Sequence, residues 1–217
     1  LIHVMRRLLT LVALLPLSCS SPRAEPPPST SPAVQSPKPG PDGDEEATVA
    51  PGIDADGGVA YFAGGCFWGV EHYLEQLDGV LDVTSGYMGG HVDSPSYEQV
   101  SSRTSGHLET VQVRFDPERI DYEDVAKRFF EIHDPTQANG QGPDIGPEYL
   151  SAVFYTGPLQ KQSTERLIET LVGRGYDVVT QVRPAQEFWP AEDYHQDYYA
   201  HTGKQPYCHT RVRRFGD

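Results

Sequence analysis

Cys66 lies within Gly64-Gly65-Cys66-Phe67-Trp68-Gly69, and a thiol in that setting admits two readings. It is either a buried, inert core residue, the common fate of a free cysteine, or a nucleophile. The glycines favour the nucleophile, because they allow a tight turn that leaves the sulfur uncovered. Phe67 and Trp68 would then wall an aromatic pocket beside it. Glu109 is the second residue with chemical potential. Between His107 and Phe115, Glu109, Val111, Val113 and Phe115 alternate with Leu108, Thr110, Gln112 and Arg114, as in a half-buried strand. That places a carboxyl at the end of an apolar row, a setting that favours the neutral acid and lets it donate a proton near pH 7. Cys208 is the third. It lies in a tail carrying Gly203 and Pro206, flexible enough to reach another thiol.

These residues need elements to hold them. Val59 to Phe62 reads as a strand, and Val70, Tyr73, Leu74 and Leu77 recur at i, i+3, i+4 and i+7, one face of a helix. Cys66 therefore falls where a strand turns into a helix. Free backbone N–H groups and the positive end of the helix dipole there favour a thiolate. Val80 to Tyr87 reads as a strand, followed by a Gly/Pro-rich loop over Gly86 to Ser96. Ile120 to His133 carries Val125, Phe129 and Ile132 at helical spacing and is stopped by Pro135. Thr136 to Tyr149 is a polar Gly/Pro loop, Ser151 to Tyr155 a strand, Pro158 to Val172 a helix and Asp177 to Val182 a strand. The order strand-helix-strand-strand-helix-strand predicts an α/β (α+β) fold, a ferredoxin-like two-layer sandwich with long loops. The tail from Glu187 is irregular apart from a short helix over Glu192 to Ala200.

The chain has 217 residues and a formal net charge of −14. That acidity argues against nucleic-acid binding, which relies on basic surface to neutralise phosphate. Its three cysteines, Cys19, Cys66 and Cys208, form no C-x-x-C pair and no His/Cys zinc spacing, so neither a disulfide framework nor a metal site is expected.

The amino-terminal segment reads as an address. Met5-Arg6-Arg7 precedes an apolar run from Leu8 to Leu17, of signal-peptide length and too short to span a bilayer as a permanent helix. Met5 is a natural start, with Leu1 to Val4 upstream of it. Leu17-Ser18-Cys19 is similar to a bacterial lipoprotein signal with Cys19 as the lipidated residue, although Pro16 stands where Leu is usual; an ordinary cleaved signal is the alternative. Residues 1–19 are thus read as the signal and 20–58 as a disordered Pro/Ser-rich acidic tether. Residues 59–217 form the catalytic domain. Export to the cell envelope or periplasm, with membrane contact only through the lipid, is the expectation.

With Gly65-Cys66-Phe67-Trp68-Gly69, the chain resembles the A-type peptide methionine sulfoxide reductases. Further pieces agree in order: Thr84 to Gly90, Pro95-Ser96-Tyr97, Gly106 to Glu109, His133 to Gln137, Gln141 to Gly146, Tyr149-Leu150-Ser151 and Glu192 to Gln196. The resemblance implies reduction of the S-epimer of methionine sulfoxide in proteins, peptides or the free amino acid by a monomer with no bound cofactor. It makes Cys66 the nucleophile, Glu109 the acid, and Tyr97 and Tyr149 the donors to the sulfoxide oxygen. Asp144 would support the site, and Phe67 and Trp68 would grip the substrate methyl. Cys208 would be the resolving thiol, its disulfide with Cys66 reduced by an external thioredoxin-like protein. His107, His133 and His195 are read as loop-orienting scaffold. Two other classes compete: a cysteine hydrolase pairing Cys66 with His133 or His195 and an Asp, and a non-enzymatic envelope binding module.

Overall fold

Eight strands and five α-helices make up the described residues, 58–216, of the computed structural model. In chain order they are β1 (Gly58–Gly64), α1 (Phe67–Leu74), β2 (Val80–Met88), α2 (Tyr97–Ser101), β3 (Leu108–Phe115) and α3 (Tyr122–Ile132). A short hairpin follows, β4 (Gly140–Gln141) and β5 (Asp144–Ile145), then β6 (Ser151–Tyr155), α4 (Pro158–Gly173), β7 (Gln181–Pro184), β8 (Trp189–Pro190) and α5 (Tyr198–Thr202). The sheet order is β7-β6-β1-β3-β2-β8. β1 pairs antiparallel with both β3 and β6, and β3 pairs antiparallel with β2. The central order β6-β1-β3-β2 is the ferredoxin-like arrangement expected from the chain order.

The alternation in β3 decides which residues face the helices. Val111, Val113 and Phe115 join Ala60 and Phe62 of β1, Val70 and Leu74 of α1, and Val125 and Phe129 of α3 in the main core. Leu108 instead joins Met88, Ala152 and Phe154 in a smaller cluster on the opposite face. Glu109 shares the parity of the main core, because side chains two apart in a strand point to one face. Its burial is thus a consequence of strand register.

Four expectations change in detail. The final strand begins at Gln181 rather than Asp177 and runs parallel to β6. The Val179 N–H is taken by the Pro135 carbonyl at 2.8 Å, which holds the backbone away from the ladder. β6 therefore supplies the fourth strand of the ferredoxin-like core, and β7 and β8 extend its edges. The helix over Glu192 to Ala200 is instead a 3-10 turn, Asp193–His195, followed by α5. Asp197 between them sits at φ 52°, a left-handed conformation that no helix continues through. α2 was not expected. Its signal was present, since Ser96 and Gln99 form a capping box in which each side chain bonds the other's backbone N–H. The Thr136 to Tyr149 loop is more ordered than its composition suggests, holding the β4–β5 hairpin and a 3-10 turn at Pro147–Tyr149.

The expected signal, Cys19 and most of the tether (residues 1–57) lie outside the described residues. No helix of the described residues is long and apolar enough to cross a membrane.

Candidate active site

Cys66 occupies the N-cap position of α1, with its carbonyl accepting the Gly69 N–H at 3.1 Å. The turn depends on two glycines. Gly65 sits at φ 93°, and a side chain there would run into Gln141. A side chain at Gly69 would overlap the His209 ring. Close packing on both sides of the turn thus explains these two positions.

Glu109 comes to the same place from β3. Its Oε2 accepts the Phe67 backbone N–H at 3.0 Å, one residue from Cys66. The side chain is 3 % exposed. Burial and then the charge of Cys66 push its carboxyl well above the usual range, outweighing the Phe67 hydrogen bond that favours the anion. Tyr97 opens α2, and Tyr149 closes the 3-10 turn before β6. Both phenols are raised first by burial, then by Glu109, with Cys66 contributing further. They remain O–H donors beside the carboxyl and the sulfur.

Cys66, Asp144 and Cys208 converge, with two sulfurs and a carboxylate oxygen within 4.8 Å of one another. Both thiols are free and buried. Here one expectation is corrected. The turn alone favours a thiolate, and the Trp68 N–H does act in that direction. Hydrogen bonding with Cys208, then burial, nevertheless raises the Cys66 thiol above its ordinary value. A second sulfur at contact and loss of water outweigh one N–H and a helix of eight residues. Cys66 is thereby favoured as the neutral thiol.

Phe67 and Trp68 separate in role. Phe67 is 1 % exposed and packs against Tyr87 and His195 at 5.9 and 5.0 Å between ring centroids. Burying such a ring stabilises the fold by about 1.5–3 kcal/mol. Trp68 is half-buried, stacks on Tyr198 at 3.7 Å, and donates its indole N–H to His195 Nδ1 at 3.2 Å. It is the aromatic residue of the pair that can meet a substrate.

The histidines hold loops. His107 Nδ1 accepts the Gly90 N–H at 3.2 Å, and its Nε2 lies 2.8 Å from the Val92 carbonyl. His133 bonds the Phe129 carbonyl and Ser151 Oγ, and burial lowers it to about 3. Among the described residues no imidazole hydrogen-bonds Cys66, which removes the geometry a Cys–His hydrolase needs.

Three residues enter that sequence reasoning passed over. Glu192 accepts the Tyr97 N–H at 2.9 Å and the Tyr87 hydroxyl at 3.0 Å, fixing the start of α2 against β2. Tyr207 donates its hydroxyl to both Asp144 oxygens, at 3.1 and 3.0 Å. His209 lies directly behind Cys208. The last two are sequence neighbours of the tail cysteine, the signal that could have found them.

A buried acid, two phenol donors and a contacting pair of thiols define a thiol-based redox site on an α/β sheet. Comparison with known proteins narrows it. A sequence model described as "Peptide methionine sulfoxide reductase" matches residues 58–216. The chain is 49% identical over 152 residues to the peptide methionine sulfoxide reductase MsrA of Chromobacterium violaceum, covering 69% of this chain and 86% of that protein. It is 45% identical over 149 residues to the MsrA of Nautilia profundicola, at the same coverages. Among solved structures, reduced Mxr1 from Saccharomyces cerevisiae superposes with a TM-score of 0.68 at 33% identity, covering 72% of this chain and 93% of that one. Methionine sulfoxide reductase A of Corynebacterium diphtheriae gives 0.64 at 30% identity, with 72% and 79% covered. The chain belongs to the peptide methionine sulfoxide reductase family, in its MsrA branch. It is an oxidoreductase, a peptide-methionine (S)-S-oxide reductase.

Proposed function

We propose that Cys66 attacks the sulfur of a methionine sulfoxide, Glu109 protonates its oxygen, and Cys208 resolves the product. In the first step the sulfoxide S–O bond breaks and the oxygen passes, as hydroxyl, to Cys66. Methionine sulfur is reduced by two electrons as Cys66 is oxidised to the sulfenic acid. The oxygen cannot depart as O2−, so the proton from Glu109 is required, and the proton lost by Cys66 restores the acid. Tyr97 and Tyr149 hydrogen-bond the oxygen as charge builds on it. Trp68 grips the substrate methyl, backed by Phe67. Asp144 orients the loop facing the two sulfurs.

The observation that carries this reading is the 3.0 Å bond between the buried Glu109 carboxyl and the Phe67 N–H. It holds an acid beside the thiol by backbone alone. Hydrogen bonding with Cys208 and then burial raise the Cys66 thiol, so loosening the Cys208 contact favours the nucleophilic thiolate.

Cys208 then condenses with the sulfenic acid to a Cys66–Cys208 disulfide and water, and a thioredoxin-like dithiol reduces that disulfide. Mxr1, solved also in complex with Trx2, supports such a donor. No bound cofactor or metal is needed, and the enzyme works as a monomer. Met5-Arg6-Arg7, the Leu8 to Leu17 run and Cys19 support export to the envelope or periplasm by way of a lipid anchor, with oxidised methionines of envelope proteins as substrates.

Intact mass and thiol counting on reduced enzyme given one equivalent of peptide methionine-(S)-sulfoxide test the chemistry. One methionine released with both Cys66 and Cys208 thiols lost is expected. Methionine released with both thiols intact would sink the scheme.

A further inference from the structure

The disulfide-forming step needs a base as well as a second thiol. Cys66–SOH and HS–Cys208 combine to form the S–S bond and water, and the thiolate is the attacking form. Cys208 must lose a proton at a site that is 7 % exposed, where bulk water has little access.

The ring of His209 fills that gap. It is 2 % exposed. Its Nε2 lies 2.8 Å from the Gly64 carbonyl, and its Nδ1 lies 3.0 Å from Cys208 Sγ. A carbonyl can only accept, so Nε2 carries the hydrogen. Burial lowers the ring to about 4, so it is neutral and Nδ1 holds a lone pair. The hydrogen between Nδ1 and the sulfur therefore belongs to Cys208, and the thiol donates to the ring. The slot is built for this ring, because its Nδ1 edge lies against the bare Cα of Gly69 in α1, where any Cβ would displace it. The Gly64 carbonyl that fixes its tautomer lies two residues from Cys66. Asp144, within 4.8 Å of both sulfurs, favours the imidazolium electrostatically.

Resting on the resolving role of Cys208, we propose that His209 is a further catalytic residue, the base that takes the Cys208 proton as this thiol attacks the Cys66 sulfenic acid. As the S–S bond forms, the S–H proton moves to Nδ1. The Cys66 S–O bond breaks, and its oxygen leaves as water with one proton more. The imidazolium returns its proton to solvent, so the step is neutral overall. Cys208 sulfur is oxidised and Cys66 sulfur reduced by the same amount, and no outside oxidant or reductant takes part. The hydrogen bond from Nε2 to the Gly64 carbonyl thus anchors this base to the strand end that leads into the Cys66 turn.

The test is single-turnover quench flow with N-acetyl-methionine sulfoxide, following methionine formed and thiols lost in the same samples. The readout is the ratio of the disulfide-forming rate to the methionine-forming rate, which cancels any general damage to the site. In His209→Gln, where the amide can still donate to Gly64 but no base faces the sulfur, the ratio should fall at least tenfold. Cys66 sulfenic acid should then become trappable by dimedone. His209→Asn, which puts an acceptor but no base at the Nδ1 position, should be equally slow. An unchanged ratio in His209→Gln would overturn the proposal, as would full rescue by Asn, which would reduce the ring to an orienting acceptor. Cys208→Ser run in parallel separates the two ideas: disulfide formation or repeated turnover with thioredoxin in that variant defeats the resolving role itself.

Discussion

The two cysteines of the site are held in opposite ways. Cys66 sits between β1, paired on both sides in the sheet, and α1, packed into the main core. Cys208 sits in a tail without regular structure, docked by individual polar bonds. Gln141 Nε2 donates to the Cys208 carbonyl at 3.1 Å, Tyr207 bonds Asp144, and His209 bonds Gly64. Further along, Val212 N–H reaches the Glu131 carbonyl at 2.7 Å, and Arg211 pairs with the Glu131 carboxylate at 2.8 Å. Each such neutral bond contributes about 1 kcal/mol net, whereas moving Cys66 would mean opening the core. A nucleophile benefits from fixed geometry. A resolving thiol must give way to substrate and then return, which suits a segment held by separable bonds.

The largest expected effect lies on the rigid side. Glu109→Gln should lower the single-turnover rate of methionine formation by roughly 10²–10⁴, the usual scale for a general acid. The sign of its pH dependence follows from its raised folded pKa: the acid form is present below that pKa and is lost as pH rises through it. Wild-type enzyme should therefore show an alkaline limb in the rate that the Gln variant lacks. A normal rate in Glu109→Gln would mean that the fixed acid is dispensable.

On the tail side, Cys208→Ser should separate chemistry from recycling. One methionine per enzyme should form, while steady-state turnover with thioredoxin as the sole reductant falls at least about a hundredfold, because exchange needs an accessible disulfide. Repeated turnover at the wild-type rate would erase the division of labour.

Tyr207→Phe should have the smallest effect. It removes one anchor of the tail, about 1 kcal/mol of docking, and should change the disulfide-forming rate by only a few-fold. Faster amide exchange over residues 204–210 should accompany it, with the Cys66 turn unaffected. Equal loosening of both regions would break the contrast.

Periodicity and turn chemistry made much of the fold legible, because local patterns record burial. Glu109 is the clearest case: alternation in β3 put it on the core face, and the structure keeps it there. The strand at Gln181 was misplaced because a single long-range bond, Val179 N–H to the Pro135 carbonyl, redirected the backbone. The helix after Glu192 was overextended because nothing local announces the left-handed Asp197.

The turn that carries Cys66 was determined by the amino-acid sequence itself, since glycines between an apolar strand and an amphipathic helix leave the chain few alternatives. The ordered motifs likewise singled out Glu109, Tyr97 and Tyr149. Only the tertiary structure decided the protonation of the site and the placing of His209. Those depend on which groups lose water together and which sulfur ends beside which ring, and contacts between Cys66, Asp144 and Cys208 span most of the domain. Local propensity carries no record of neighbours that distant.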